Sequence, residues 1–119
     1  MIDWLAAQPP ERLAISGWVT AEFSSALSIK VRVGHLSVTN RAQALAMFTR
    51  LRAETFSEFP VAAAEFRVAA RFADQHALGL RSGDARHLAI CAEHGATLCT
   101  LDHRQSDAGR ALGVSTARL

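Results

Sequence analysis

LRSGDARHLAICAEHGATLCTLD, residues 80–102, is the stretch whose reading decides the fold. Residues 83–94 carry apolar positions at helical spacing and stop at Gly95. Residues 97–101, TLCTL, form a short apolar run that suits a buried strand. The stretch therefore reads as loop, helix, short loop and strand. It holds two acids that do not suit their neighbours. Asp84 opens the apolar-patterned helix, and Asp102 stands just past the end of the strand.

Working outward, the same alternation recurs. Upstream, residues 3–7 read as the tail of a helix stopped by Pro9 and Pro10, and residues 12–16, RLAIS, as a strand. A helix is predicted over 18–33, with Gly34 as its stop. Thr39 or Asn40 can cap the next helix, 41–53, whose apolar positions are Ala44, Leu45, Met47, Phe48 and Leu51. Residues 59–61 are a short extended segment, held to an edge by Pro60. The helix at 62–76 places Phe66, Ala69, Ala70 and Ala73 on its inner face. Downstream, a helix over 104–112 ends at Gly113, and 114–117 is the last strand. Strands alternating with helices predict an α/β sandwich with a mostly parallel sheet.

Length and composition narrow the class. A chain of 119 residues, half of them hydrophobic, is long enough for one domain with a single core. No apolar run approaches the ~20 residues of a membrane span. The start, MIDWLAAQPPERL, lacks the basic opening and apolar stretch of a signal peptide, so a cytoplasmic protein with no membrane partner is expected. Cys91 and Cys99 fit no metal spacing and read as buried free thiols. Of 13 basic residues, Lys30 is the one lysine. Arginine forks permit a phosphate-bearing partner, although a genome that favours arginine codons gives the same bias.

Three acids then stand out. Glu22 shares a helix face with Ala26, Ile29 and Val33, so it looks toward an apolar side. Asp84 reads either as a helix cap, a task Ser82 could share, or as a site residue. Asp102 reads either as a turn-forming Asp before a helix or as a site residue, since open α/β sheets build their sites outside the carboxyl ends of strands. Carboxylates gathered at one sheet edge repel one another, and a divalent cation removes that cost. Oxygen ligands without Cys or His favour Mg²⁺ or Mn²⁺ over zinc. Such ions are suited to phosphodiester hydrolysis.

On these residues the chain resembles PIN-domain ribonucleases, specifically VapC-type toxins of bacterial toxin–antitoxin pairs. The matching stretches are VTAEFSSALSIKVRVGHLS, LRSGDARHLAICAEHGATLCTLDHR and ARALGV, in the same order and spacing. The resemblance implies a PIN-like three-layer α/β/α sandwich over residues 1–119. It gives Glu22, Asp84 and Asp102 catalytic, metal-coordinating roles with Mg²⁺ or Mn²⁺. By the same resemblance Thr100 matches a hydroxyl position that helps hold the site, and His87 reads as a residue that backs the acids or packs the helix. The resemblance further implies cleavage of structured RNA such as tRNA, neutralisation by a VapB-like antitoxin, and a homodimer.

One departure accompanies the match. Members of the family begin with a hydrophobic strand ending in Asp and a hydroxyl residue, and nothing before residues 12–16 supplies it. Asp3, in MIDWLAAQPP, is a poor substitute. The expectation is a domain entered after its first strand, with one metal-binding acid missing. The alternative is a catalytically impaired remnant that acts only as a protein-binding module.

Overall fold

The computed structural model describes residues 2–119, with the side chain of Ile2 left aside. The elements in order are helix α1 (Ile2–Ala7), strand β1 (Ala14–Ser16), helices α2 (Gly17–Arg32) and α3 (Val38–Thr55), strand β2 (Ser57–Phe59), helices α4 (Ala63–Asp74) and α5 (Ser82–His94), strand β3 (Leu98–Thr100), helix α6 (His103–Ala111) and strand β4 (Thr116–Arg118). Short 3-10 turns cover Pro10–Arg12 and His76–Leu78. The alternation is the one the sequence predicts, and both strand pairs are parallel. The contacts divide the chain into two compact units, 2–60 and 61–119.

In unit 2–60, β1 pairs with β2 from Ala14 against Ser57 to Ser16 against Phe59. Both strands are displaced from their predicted ranges, for reasons set by proline. Pro10 fixes φ and opens a 3-10 turn, so Arg12 falls outside β1. Pro60 cannot donate to a ladder, so β2 ends before it. Gly34, at φ 82°, turns the chain between α2 and α3. The cap of α3 is Ser37, whose Oγ accepts the Asn40 N–H at 3.0 Å, not Thr39 or Asn40. Phe23 stacks on Phe48 with ring centroids 4.3 Å apart and 19° between planes. Arg52 Nη1 donates to Thr20 Oγ1 at 3.1 Å, and Arg41 Nη2 to Ser28 Oγ at 3.3 Å, tying α3 to α2.

In unit 61–119, β3 pairs with β4, and the core is a helix seam. Val68 and Ala69 of α4 meet Ala85 and Ala89 of α5, with Phe72 and Leu80 packed at the margin. Alanines at i and i+4 leave little side chain between the helices, so the backbones approach closely. The inner face of α4 differs from the predicted one: Glu65, Val68 and Ala69 are buried, while Phe66, Ala70 and Ala73 are exposed. Glu65, in the first turn of α4, reaches His94 at the end of α5, so the two helices run antiparallel. Gly109 of α6 lies where a Cβ would overlap Thr116 Cγ2 and stand 3.0 Å from Leu88 Cδ2. No described helix is long and apolar enough to cross a membrane.

Candidate functional site

The two acids of the opening stretch lie at the amino ends of helices. Asp84 occupies the third position of α5, and its Oδ2 accepts the Arg81 N–H at 3.2 Å. The cap position itself is held by Arg81 in an extended conformation. Ser82, the other cap candidate, instead accepts a hydrogen bond at its Oγ from Arg86 Nη2 at 2.8 Å. Asp102 is the N-cap of α6, its Oδ1 accepting the N–H groups of Arg104 at 2.9 Å and Gln105 at 3.3 Å. Free amides and the positive end of the helix dipole favour a carboxylate at both places.

Topology puts these helix starts on one edge. A short turn at Gly95 sends the chain back along α5 as β3, so the amino end of α5 and the carboxyl end of β3 face the same way. Gly79, two residues before Arg81, confirms the neighbourhood. A Cβ on it would lie 3.6 Å from Arg104 Cδ in the first turn of α6.

Thr100 fixes the end of the strand. Its Oγ1 accepts the Asp102 N–H at 3.0 Å and donates to Gln105 Oε1 at 2.9 Å. Gln105 is buried, so this hydroxyl ties the turn carrying Asp102 to the interior. His87 is half-buried on α5.

Glu22 lies on α2 in unit 2–60 and is half-buried. The face it shares is not an apolar interior: Ala26 is exposed, Ile29 is 46% exposed and Val33 58%. The buried residue of α2 is Leu27, next to Ala26 in sequence and so on a different face. Among the described residues, no group of three or more His, Cys, Asp or Glu side chains could hold a metal ion.

The cysteines are free, as expected, but they are not both buried. Cys91 is half-buried and Cys99 exposed, on the outward side of β3. Burial, and secondarily the nearby Cys99, pushes the Cys91 thiol up to about 11. Burial also raises Cys99. Both are protonated at neutral pH and are poor nucleophiles there.

The family model for the PIN domain matches residues 2–111, across both units. The chain belongs to the PIN-domain family. For this PIN domain, no curated protein matches. Among solved structures it is similar to the crystal structure of FitAcB from Neisseria gonorrhoeae, at 18% identity and a TM-score of 0.72. That likeness covers 97% of this chain and 81% of the other. It shows the fold, the helix-rich α/β architecture with parallel strands expected from the sequence. PIN domains are a nuclease family, so membership brings hydrolase activity and the use of divalent metal at the level of the family.

Two features of this PIN domain went unread in the sequence. Glu65 is 4% exposed, its Oε2 accepting the Ala62 N–H at 2.7 Å and its Oε1 lying 3.5 Å from His94 Nε2. The readable signal was a Glu three residues past a helix-cap position. It lies at the end of α5 opposite Asp84, so it anchors the helix pair away from the acidic edge. The second feature is Arg118 Nη1 against His103 Nδ1 at 2.7 Å, which no local pattern announces.

Proposed function

We propose that this PIN domain is a divalent-metal-dependent endoribonuclease of the VapC toxin type. It hydrolyses RNA, with structured RNA such as tRNA as substrate. The observation that carries the reading is the placement of Asp84 and Asp102 at helix amino ends within unit 61–119. Each is seated on backbone amides, at the amino end of α5 and of α6.

The donor chemistry fits the metal. The bonds described engage Oδ2 of Asp84 and Oδ1 of Asp102, and each carboxylate has a second oxygen and spare lone pairs. Mg²⁺ is commonly held by one or two carboxylates, with waters and substrate phosphates as its other ligands. In the proposal Asp84 and Asp102 hold Mg²⁺ or Mn²⁺; Glu22, the third acid that the resemblance implies, lies on α2 in the other compact unit. When bound, the ion lowers the pKa of water and stabilises charge on the phosphate oxygens. Thr100 fixes the turn that aims Asp102, and His87 backs Asp84 from within α5.

A protein partner is supported by the apolar face of α2 and α3. A cavity of about 540 Å³ there is lined by Phe23, Met47, Phe48 and Leu51 among others, and Met47 is 72% exposed. An uncovered apolar surface of this kind is suited to association. The proposed occupant is a VapB-like antitoxin; a homodimer, a cytoplasmic location and one PIN-like domain over residues 1–119 belong to the same proposal. The same face supports a second reading, a protein-binding module without catalysis.

The test is RNA cleavage with Mn²⁺, comparing the natural protein with Asp84→Asn. Loss of cleavage in the variant, with Mn²⁺ binding weakened in calorimetry, is the expected result. Equal cleavage by both proteins overturns the metal assignment. Absence of cleavage by either, with antitoxin binding intact, favours the second reading.

A further inference from the structure

We infer that Arg118, held by His103, is a positioning residue that grips a phosphate of the substrate backbone beside Asp102. The inference rests on the ribonuclease reading above and names a contact which that reading leaves open.

The parallel register sets Arg118 opposite Thr100, at the carboxyl ends of β4 and β3. Asp102 follows two residues after Thr100, so Arg118 lies at the edge that carries the acids. Its Nη1 stands 2.7 Å from His103 Nδ1. A guanidinium only donates, so in this contact Nδ1 is the acceptor.

That choice of partner matters. An arginine fixed by a carboxylate has its charge largely cancelled. Asp102 is one residue from His103, and its Oδ1 accepts the Arg104 and Gln105 amides. Arg118 is thus oriented by an imidazole nitrogen and not by a carboxylate in this contact. It is exposed, and the contact uses only one of its five N–H donors. The remaining fork matches two oxygens of a phosphodiester. Arg104, in the same helix turn and lying against Gly79, adds a second cation to the edge. The matching ligand is a phosphodiester of an RNA backbone.

The experiment measures binding of a labelled single-stranded RNA by anisotropy in EDTA, across a salt series, alongside cleavage in Mn²⁺. The proteins are the natural chain, Arg118→Gln, Arg118→Lys, His103→Ala and Asp84→Asn. Arg118→Gln is expected to weaken RNA binding about tenfold and to flatten the dependence of log K on log salt by ~0.7 to 1. Arg118→Lys should restore the salt slope but only part of the affinity. His103→Ala should weaken binding and leave the slope unchanged, because the charge remains while its orientation is lost. Asp84→Asn should lose cleavage and keep binding.

If Arg118→Gln binds with natural affinity and slope while Asp84→Asn loses cleavage, the contact is overturned and the nuclease reading stands. If Arg118→Gln weakens binding and flattens the slope although the natural chain cleaves nothing, the contact is upheld and the nuclease reading fails. No RNA binding by the natural chain overturns the inference.

Discussion

Glu65 shows how a single buried carboxylate can be structural. It satisfies the Ala62 amide and faces His94, joining the start of α4 to the end of α5. Glu65→Ala leaves a backbone donor without its partner and should cost ~1–3 kcal/mol, read as a lower denaturant midpoint with RNA cleavage retained. Gly109 makes a steric prediction. Gly109→Ala should lower the melting temperature, by ~1–3 kcal/mol of overpacking, because Thr116 and Leu88 must move. Cys91 makes a pH prediction. Its folded value, about 11, lies above the usual 9.0. Between those values the unfolded chain binds fewer protons than the folded one, so stability falls as pH rises through that window. Thiol alkylation of the native protein should reach Cys99 before Cys91 and accelerate toward pH 11. The sequence revealed Cys91 and Cys99 as free thiols but not their exposure. An apolar neighbourhood in a three-residue strand does not say which face meets solvent.

At the scale of elements, helices were legible because periodicity and glycine stops agree, as at Gly34, Gly95 and Gly113. Their edges were less so. Ser37 took the cap of α3 because its hydroxyl reaches the Asn40 amide, a choice Thr39 and Asn40 mimic in sequence. The inner face of α4 was misread because Ala63, Ala64, Ala69, Ala70 and Ala73 offer no contrast between faces, and a buried Glu65 reverses the usual polarity rule. Asp84 and Asp102 were legible as misplaced acids at one edge, whereas the backbone amides that seat them were not. The amino end of α6 allows two roles of Asp102 to be separated. Asp102→Ala removes the cap and should cost ~0.5–2 kcal/mol of stability together with cleavage. Asp102→Asn keeps an acceptor for the Arg104 and Gln105 amides, so it should melt close to the natural protein while losing Mn²⁺ affinity. Thermal melts and calorimetry on the two variants check this.

For the whole molecule, the PIN assignment spans residues 2–111 and so takes in both compact units. The family was legible because its motifs sit at helix starts and strand ends, where side-chain identity is dictated by chemistry. The face of Glu22 was not, because Ile29 and Val33 are apolar yet exposed. An ion that binds only the folded state stabilises it by about 2.7 kcal/mol at a hundred times its Kd. Mn²⁺ should therefore raise the melting temperature of the natural protein but not of Asp84→Asn, and EDTA should reverse the rise. Finally, the Leu119 amide donates to the Thr100 carbonyl at 3.0 Å, one residue beyond Arg118. Anything joined after Leu119 leaves the protein beside Asp102 and Arg118. A purification tag fused there would crowd the acidic edge, and a histidine tag would carry its own metal ligands to it. Assays of residues 1–119 are best made without a tag after Leu119.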